Sequence, residues 1–251
     1  MRAPPRRRGT RTTRTGRPDP ARGRLRGVVT DVDGTLTDSR RRLDPRALVA
    51  VHRLEASGVP VTLATGNVLP IALALHRFLG ASGPIVAENG GVIYWPQGTG
   101  GTVERRADRR LALRAWRAIR AAGIPAHRLF TDRWRESEVA LEQDVSLGAL
   151  RKAVRGIPVT VESTGYAIHL LERGVGKLPS LARALARIGL APGDCVILGD
   201  GDNDVAMLRA AGFGVSFPSA SRAARAAARY VTHADYSAGF EEGLKESGLL
   251  P

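Results

Sequence analysis

Asp31 and Asp33 stand one residue apart, where the apolar run Gly27-Val28-Val29-Thr30 gives way to the turn-forming pair Gly34-Thr35. A second acidic group, Asp200, Asp202 and Asp204, follows the apolar run Cys195-Val196-Ile197-Leu198. Continuous β-branched and aliphatic runs of this kind predict strands buried on both faces. Both acidic groups then fall at the carboxyl ends of strands, where open α/β sheets bind their ligands. Carboxylates gathered in one place repel and raise one another's pKa unless a cation lies between them. Hard oxygen donors of this type suit magnesium, Mg2+. The chemistry expected is that of a magnesium-dependent site for an anionic substrate.

Two further groups fit an anion. Thr65 and Gly66 close the run from Val59 to Ala64 and precede a helical pattern. A hydroxyl and an exposed amide there can hold a phosphoryl oxygen, the reading favoured over a helix cap at Thr65. Lys177 opens another helical pattern, where a cation opposes the helix dipole and costs stability, which favours an anionic partner. Asp204, four residues after Asp200, shares its face once the helix has begun. It either ligates the ion or orients a bound water or Lys177. Asp202 reads as exposed or as a helix cap.

The elements that must carry these residues alternate. A strand at 27–31, a helix from Asp44-Pro45 to Ala56, a strand at 59–64, a helix at 68–79 and a strand at 85–87 form one α/β run. The Asp44-Pro45 pair is a helix start with a clear mechanism, cap then first helical residue. Such alternation implies right-handed crossovers and a parallel sheet. Between Gly91 and Gly174 the rhythm changes: a hairpin (92–95 with 102–104), a helix at 108–122, a strand at 137–141, a helix at 146–154 and paired strands at 159–161 and 166–171. Hairpins with helices between them indicate an α+β module. After Gly174 the alternation returns, with helices near 177–189, 203–211, 219–228 and 237–247 and strands near 195–199, 213–216 and 229–232. The expected fold class is therefore α/β, a Rossmann-like parallel-sheet core at 27–90 and 175–251 interrupted by an α+β cap at 91–174.

In order along the chain, Asp31-Val32-Asp33-Gly34-Thr35, then Thr65-Gly66-Asn67, then Lys177, then Gly199-Asp200 with Asn203-Asp204 resemble the four signatures of haloacid-dehalogenase-like phosphatases. On their own, Asp31 and Asp33 read equally well as a turn pair; the ordered set tips the balance. Gly66-Asn67-Val68-Leu69-Pro70, Glu88-Asn89-Gly90-Gly91, Arg133-Trp134-Arg135-Glu136 and Gly165-Tyr166 with His169-Leu170 look like the archaeal-type phosphoglycolate phosphatases within that superfamily. The resemblance covers about residues 27–248. It implies a phosphomonoesterase acting on 2-phosphoglycolate, with a broader sugar-phosphate or sucrose-phosphate-like phosphatase as the alternative. It also implies a cap that opens and closes, for which glycines 90, 91, 174 and 176 are candidate hinges.

The roles follow from the chemistry. Asp31 is placed to attack phosphorus and form an aspartyl-phosphate. Asp33 can protonate the leaving alkoxide and then deprotonate water. Magnesium held by Asp31, Asp200 and, as the resemblance implies, the backbone carbonyl of Asp33 would screen the repulsion between carboxylate and ester. Thr35 is expected to make a turn hydrogen bond. Because these residues see only phosphoryl group and metal, selection among a class of small phosphorylated organic acids must come from the cap. Arg133, Arg135, Tyr166 and His169 are the candidates, the arginines because a planar fork suits a carboxylate.

The net charge of +14 raises a nucleic-acid reading. Its distribution speaks against one, since residues 1–26 hold ten arginines against Asp19 alone. That basic segment is expected to be a disordered tail, and a nucleic-acid-associated protein acting through it is the alternative from a different class. The 43% apolar content suffices for two cores in 251 residues. No stretch reads as a membrane span or secretory signal, so a cytoplasmic protein without a membrane partner is expected. A homodimer is left open, and Cys195, inside an apolar run, reads as a packing residue.

Overall fold

The computed structural model describes residues 25–98 and 100–251. The tail expected over residues 1–26 thus lies almost wholly outside the described residues. The chain runs β1 (Gly27–Thr30), α1 (Pro45–Ala56), β2 (Val61–Ala64), α2 (Leu69–Leu79), β3 (Ile85–Ala87), β4 (Val92–Gln97) and β5 (Gly100–Arg105). It continues through α3 (Arg109–Ala121), β6 (Val139–Leu141), α4 (Leu147–Ala153), β7 (Val159–Ser163) and β8 (Ile168–Glu172). The last part holds α5 (Lys177–Ala186), β9 (Cys195–Leu198), α6 (Val205–Ala210), β10 (Phe213–Ser216), α7 (Arg222–Ala227), β11 (Tyr230–Val231) and α8 (Tyr236–Glu246).

Eight strands form the main sheet in the order β11-β10-β9-β1-β2-β3-β4-β5. The six from β11 to β3 are parallel. From β1 the chain builds outward through β2 and β3, and on its return builds the other way through β9, β10 and β11. The strand order therefore reverses between β1 and β9, and a crevice opens there beyond the carboxyl ends of the strands. The register sets Thr30 opposite Leu198, so the residues after β1 and β9, which include Asp31 and Asp200, emerge side by side.

Local sequence explains the helices that support this sheet. Asp44 accepts from the amide of Arg46 at 2.8 Å and Pro45 follows it, as expected for α1. One face of the sheet buries Val28, Leu54, Leu63, Phe217 and Phe240. The other buries Val29, Ile197, Leu181 and Met207. Cys195 lies in this second core, where burial pushes its thiol up to about 12. The expectation of a packing cysteine holds.

The hairpin expected to open the cap belongs instead to the main sheet. β4 pairs antiparallel with β3, setting Val86 against Ile93, and β5 follows as the edge. The reason is packing: Ile93 and Trp95 complete the core under α5, and the Trp95 indole donates to the carbonyl of Ala184 at 3.1 Å. The module with its own sheet is correspondingly shorter. It holds the antiparallel order β6-β8-β7 covered by α3 and α4, with Ile119, Leu141, Leu150, Ile168 and Leu170 at its centre. Among the described residues no helix is long and apolar enough to cross a membrane.

Candidate active site

Beyond Thr30 the chain turns at once. The amides of Thr35, Leu36 and Thr37 converge on the carbonyl of Val32 at 3.3, 2.9 and 3.2 Å. Gly34 completes the turn at φ +81°, and a Cβ there would lie 2.4 Å from a carboxylate oxygen of Asp200. Only glycine lets the two acidic loops approach so closely. Thr35 is fully buried; its amide makes the turn hydrogen bond expected of it, and its hydroxyl has no partner among the described residues.

Lys177 joins two of the expected residues. It begins α5 directly after Gly176, and its buried Nζ donates to Asp31 Oδ1 and to Asp204 Oδ1, both at 2.7 Å. Burial alone would lower the pKa of this ammonium, but Asp204 and then Asp31 outweigh it and hold the pKa raised. Asp204 is committed at both oxygens, since its Oδ2 accepts from the amides of Asp200 (3.2 Å) and Gly201 (3.0 Å). Its four-residue spacing from Asp200 thus returns the side chain to its own loop.

Asp31, Asp200 and Asp204 each offer an oxygen, all within 4.8 Å of one another. Burial, reinforced by Asp204, raises the Asp200 carboxyl to about 7. Burial likewise lifts Asp31 well above the usual range despite the opposing charge of Lys177. One ammonium among three carboxylates leaves negative charge uncompensated, and an oxygen-lined, anionic pocket of this kind fits a hard divalent cation.

Asp33 is held by a residue to which the sequence reading gave no role of its own. Asn67 Nδ2 donates to Asp33 Oδ2 at 2.6 Å and approaches Thr65 Oγ at 3.3 Å. The Asn67 amide also donates to Thr65 Oγ at 3.0 Å, which leaves the hydroxyl proton of Thr65 free to donate. Gly66 packs under Asn89, with space for a Cβ only 3.1 Å from its side-chain oxygen. Asn89 in turn accepts from Asn203 at 3.1 Å, tying the loop after β3 to the loop after β9.

The cap-side candidates divide. Tyr166 and His169 line the same cavity of about 270 Å³ as Asp31, Asp33 and Asp200. Arg133 is exposed outside it, its guanidinium 4.4 Å from the Phe130 ring centre. Arg135 is buried behind the cleft wall, paired with Glu138 and donating to the carbonyl of Gly66 at 3.0 Å. Neither arginine lines that cavity: one is stacked on its own short helical turn and the other neutralises a buried carboxylate. Burial would raise the pKa of that Glu138 carboxyl, but His169 and Arg135 reverse the effect and hold it low.

Glu138, missed in the sequence, organises this wall. It accepts from His169 Nδ1 at 2.9 Å and from Asn89 at 3.3 Å as well as from Arg135. Glu88 adds a second clamp, accepting from the amides of Glu136 (3.0 Å) and Ser137 (2.9 Å) and from the Ser137 hydroxyl (2.6 Å). The signal available for Glu138 was an acid in an otherwise apolar strand run, Ser137 to Leu141. Such a residue needs a buried partner.

The loop between β3 and β4 also touches the start of α5, so glycines 90 and 91 lie within the main sheet and not at its junction with the module. Gly90 has φ +98°, and a Cβ on it would lie 2.2 Å from the carbonyl of Gly176. The close approach of these two segments accounts for glycine at position 90.

Comparison with known proteins agrees with this geometry. A family of haloacid dehalogenase-like hydrolases matches residues 28–124 and 138–244. A protein of Methanothermobacter thermautotrophicus named phosphoglycolate phosphatase is 37% identical over 221 residues, spanning 88% of this chain and 98% of that one. A phosphoglycolate phosphatase of Halorubrum lacusprofundi is 38% identical over 216 residues, 84% of this chain and 92% of its own. A crystal structure from Thermoplasma acidophilum superposes with a TM-score of 0.83 at 25% identity, covering 91% of this chain and all of that one. With the matched segments spanning both the reversed strand order and the paired acidic loops, the chain belongs to the haloacid dehalogenase-like hydrolases.

Proposed function

We propose that this protein is a magnesium-dependent phosphomonoesterase that hydrolyses 2-phosphoglycolate to glycolate and phosphate through an aspartyl-phosphate on Asp31. The observation that carries the reading is the Lys177 ammonium held at 2.7 Å from both Asp31 and Asp204 at the switch point of the sheet. Two relatives that cover most of the chain bear the name phosphoglycolate phosphatase, which supports the choice of substrate.

In this mechanism a carboxylate oxygen of Asp31 forms a bond to phosphorus while the bond to the glycolate oxygen breaks. Asp33, oriented by Asn67, gives a proton to that oxygen. Water then attacks the aspartyl-phosphate, Asp33 takes its proton, and phosphate leaves with the Asp31 carboxylate restored. Thr65 and the amide of Gly66 hold phosphoryl oxygens. Lys177 keeps the Asp31 carboxylate in one orientation and partly offsets its charge. Asp31 and Asp200 would hold the magnesium with their carboxylates and Asp33 with its backbone carbonyl, while Asp204 holds Lys177 and the loop. When bound, the ion screens the charge between nucleophile and ester and stabilises charge on the transferring oxygens. The antiparallel module from Arg109 to Glu172 serves as the cap that closes the cleft.

Phosphate release from a panel of small esters, with magnesium added and then chelated, tests the reading. The expected result is the highest kcat/KM on 2-phosphoglycolate and loss of turnover on chelation. Highest efficiency on hexose phosphates would replace it with the sugar-phosphate alternative.

A further inference from the structure

Arg41 is the unassigned group that faces the cleft. It sits between β1 and α1 at the tip of a small hairpin closed by a bridge between Thr37 and Leu43. Asp38 builds that hairpin: its carboxylate accepts from the amides of Arg40 (2.8 Å) and Arg42 (3.0 Å) and from the Arg42 guanidinium at 2.9 and 2.7 Å. The Arg41 amide donates to the Asp38 carbonyl at 2.8 Å, and the Asp38 amide to the Arg42 carbonyl at 3.0 Å. This is a tight turn followed by a residue in the left-handed region, the position that glycine normally fills. Here it is arginine, at φ 60°. A strained arginine kept where glycine is easier points to use of its side chain.

The guanidinium reaches across to the cap. Its carbon lies 3.7 Å from the centre of the Tyr166 ring, and both residues line the cavity that holds Asp31, Asp33 and Asp200. Of the other charges around that cavity, Asp31 is engaged by Lys177, Asp33 by Asn67, Asp38 by Arg42 and His169 by Glu138, and the remaining carboxylate, Asp200, repels an anion. No ion pair or hydrogen bond among the described residues uses the Arg41 guanidinium. Stacking leaves the edge of the guanidinium plane, with its N–H donors, available to an anion.

Resting on the substrate reading above, we propose that Arg41, steadied by Tyr166, forms the subsite for the carboxylate of the substrate's organic tail. The subsite thus draws its cation from the core hairpin and its platform from the cap, and is complete only when the two meet. A planar fork facing a carboxylate makes paired, charge-assisted hydrogen bonds. The small cavity of about 270 Å³ limits the tail to a few atoms between phosphate and carboxylate.

The test compares two esters of equal length, 2-phosphoglycolate and 2-hydroxyethyl phosphate, which differ in the charge of the tail. Arg41→Gly relieves the left-handed strain, so its melting temperature should not fall below that of the unaltered protein. The ratio of kcat/KM between the two esters should drop about 10- to 100-fold, chiefly through KM, the size of one lost charge-assisted contact. Arg41→Lys should lie between. Tyr166→Phe, which keeps the ring, should preserve the ratio, whereas Tyr166→Leu should lower it by a smaller factor than Arg41→Gly. If the unaltered protein discriminates between the esters and Arg41→Gly leaves the ratio as it was, the subsite is elsewhere and the substrate reading stands. If the unaltered protein does not discriminate, the substrate reading fails and the subsite with it.

Discussion

The two walls of the cleft are built in different ways. On the core wall, Asp31, Thr65 and Asp200 each lie within two residues of the end of a parallel strand, and backbone register alone brings them together. On the opposite wall, Tyr166 and His169 come from the turn and strand of an antiparallel pair, and are placed by side-chain bonds through Glu138 and by stacking on Arg41. The first wall is fixed by hydrogen bonds that any sequence forming this sheet would make. The second depends on a few side chains packing across two modules. The proposed function assigns phosphoryl chemistry to the former and substrate selection to the meeting of the two, so the walls should respond differently to substitution.

The sharpest contrast is expected at the core wall. Asp31→Asn keeps shape and removes the nucleophile, and should lower kcat by about 10⁴-fold or more, on the scale of nucleophile loss in other hydrolases. Asp33→Asn should cost about 10²- to 10⁴-fold on alkyl esters, as for loss of a general acid and base. A smaller loss is expected on an aryl ester whose leaving group needs no proton. Stopped-time phosphate release on both ester types checks this. Equal losses for Asp33→Asn on alkyl and aryl esters would remove Asp33 from leaving-group protonation.

The same contrast explains what was legible in the sequence. Strand ends are local features: Val28-Val29-Thr30 followed by Asp31, and Val196-Ile197-Leu198 followed by Gly199-Asp200, announce their positions without knowledge of the partner strand. Lys177 was readable because a cation at a helix start is locally unfavourable. The edge hairpin was misplaced because nothing within Val92–Trp95 says whether it pairs with β3 or with a separate sheet. That depends on Trp95 reaching α5, some 90 residues away in the chain. The arginines were harder to read for a related reason. In a chain so rich in arginine, residue type does not distinguish Arg135, which neutralises Glu138, from Arg133, which stacks at the surface, or from Arg41, which faces the cleft. Only their partners do, and those are long-range.

A second break targets the wall that side chains build. Glu138→Gln leaves Arg135 buried without its counter-charge and weakens the grip on His169 and Asn89. Removing one partner of a buried pair costs about 3–5 kcal/mol, which urea unfolding at pH 7 should resolve. Because Arg135 also holds the carbonyl of Gly66, KM should rise in the folded variant. Replacing Arg135 and Glu138 together by apolar residues of similar volume should recover much of the stability. If the double variant is no more stable than the single one, the pair is not the source of the loss.

The charge on the core wall gives a smaller, pH-dependent effect. Asp200 titrates near 7 in the fold against an ordinary 3.8, because burial and then Asp204 oppose its ionisation. The folded state thus holds this proton more tightly than the unfolded chain. Its contribution to stability is fully present below about pH 4 and is lost as pH rises through about 7. Metal competes with that proton, so the rise in melting temperature on adding magnesium should be greater at pH 7.5 than at pH 5. Asp200→Asn should raise the metal-free melting temperature at pH 7.5 and abolish most of the magnesium increment. An increment of equal size at both pH values would dissociate the ion from these carboxylates.

The smallest effect is expected where the sequence reading looked for specificity. Arg133 is exposed and lies over Phe130, 4.4 Å from its ring centre, within the same short turn. An exposed cation–aromatic contact contributes about 0.5–1 kcal/mol, and surface substitutions generally stay near 0.5 kcal/mol. Arg133→Ala should therefore leave kcat/KM on 2-phosphoglycolate within about twofold, with a shift in melting temperature of a degree or two. Steady-state kinetics set beside those of Arg41→Gly makes the comparison direct, since both substitutions remove one arginine charge and only one of the two lines the cleft. A tenfold rise in KM for Arg133→Ala would mean that the cap meets its substrate on a face turned away from this cavity. The division between a register-built wall and a packing-built wall would then have to be redrawn around Phe130 and Trp134.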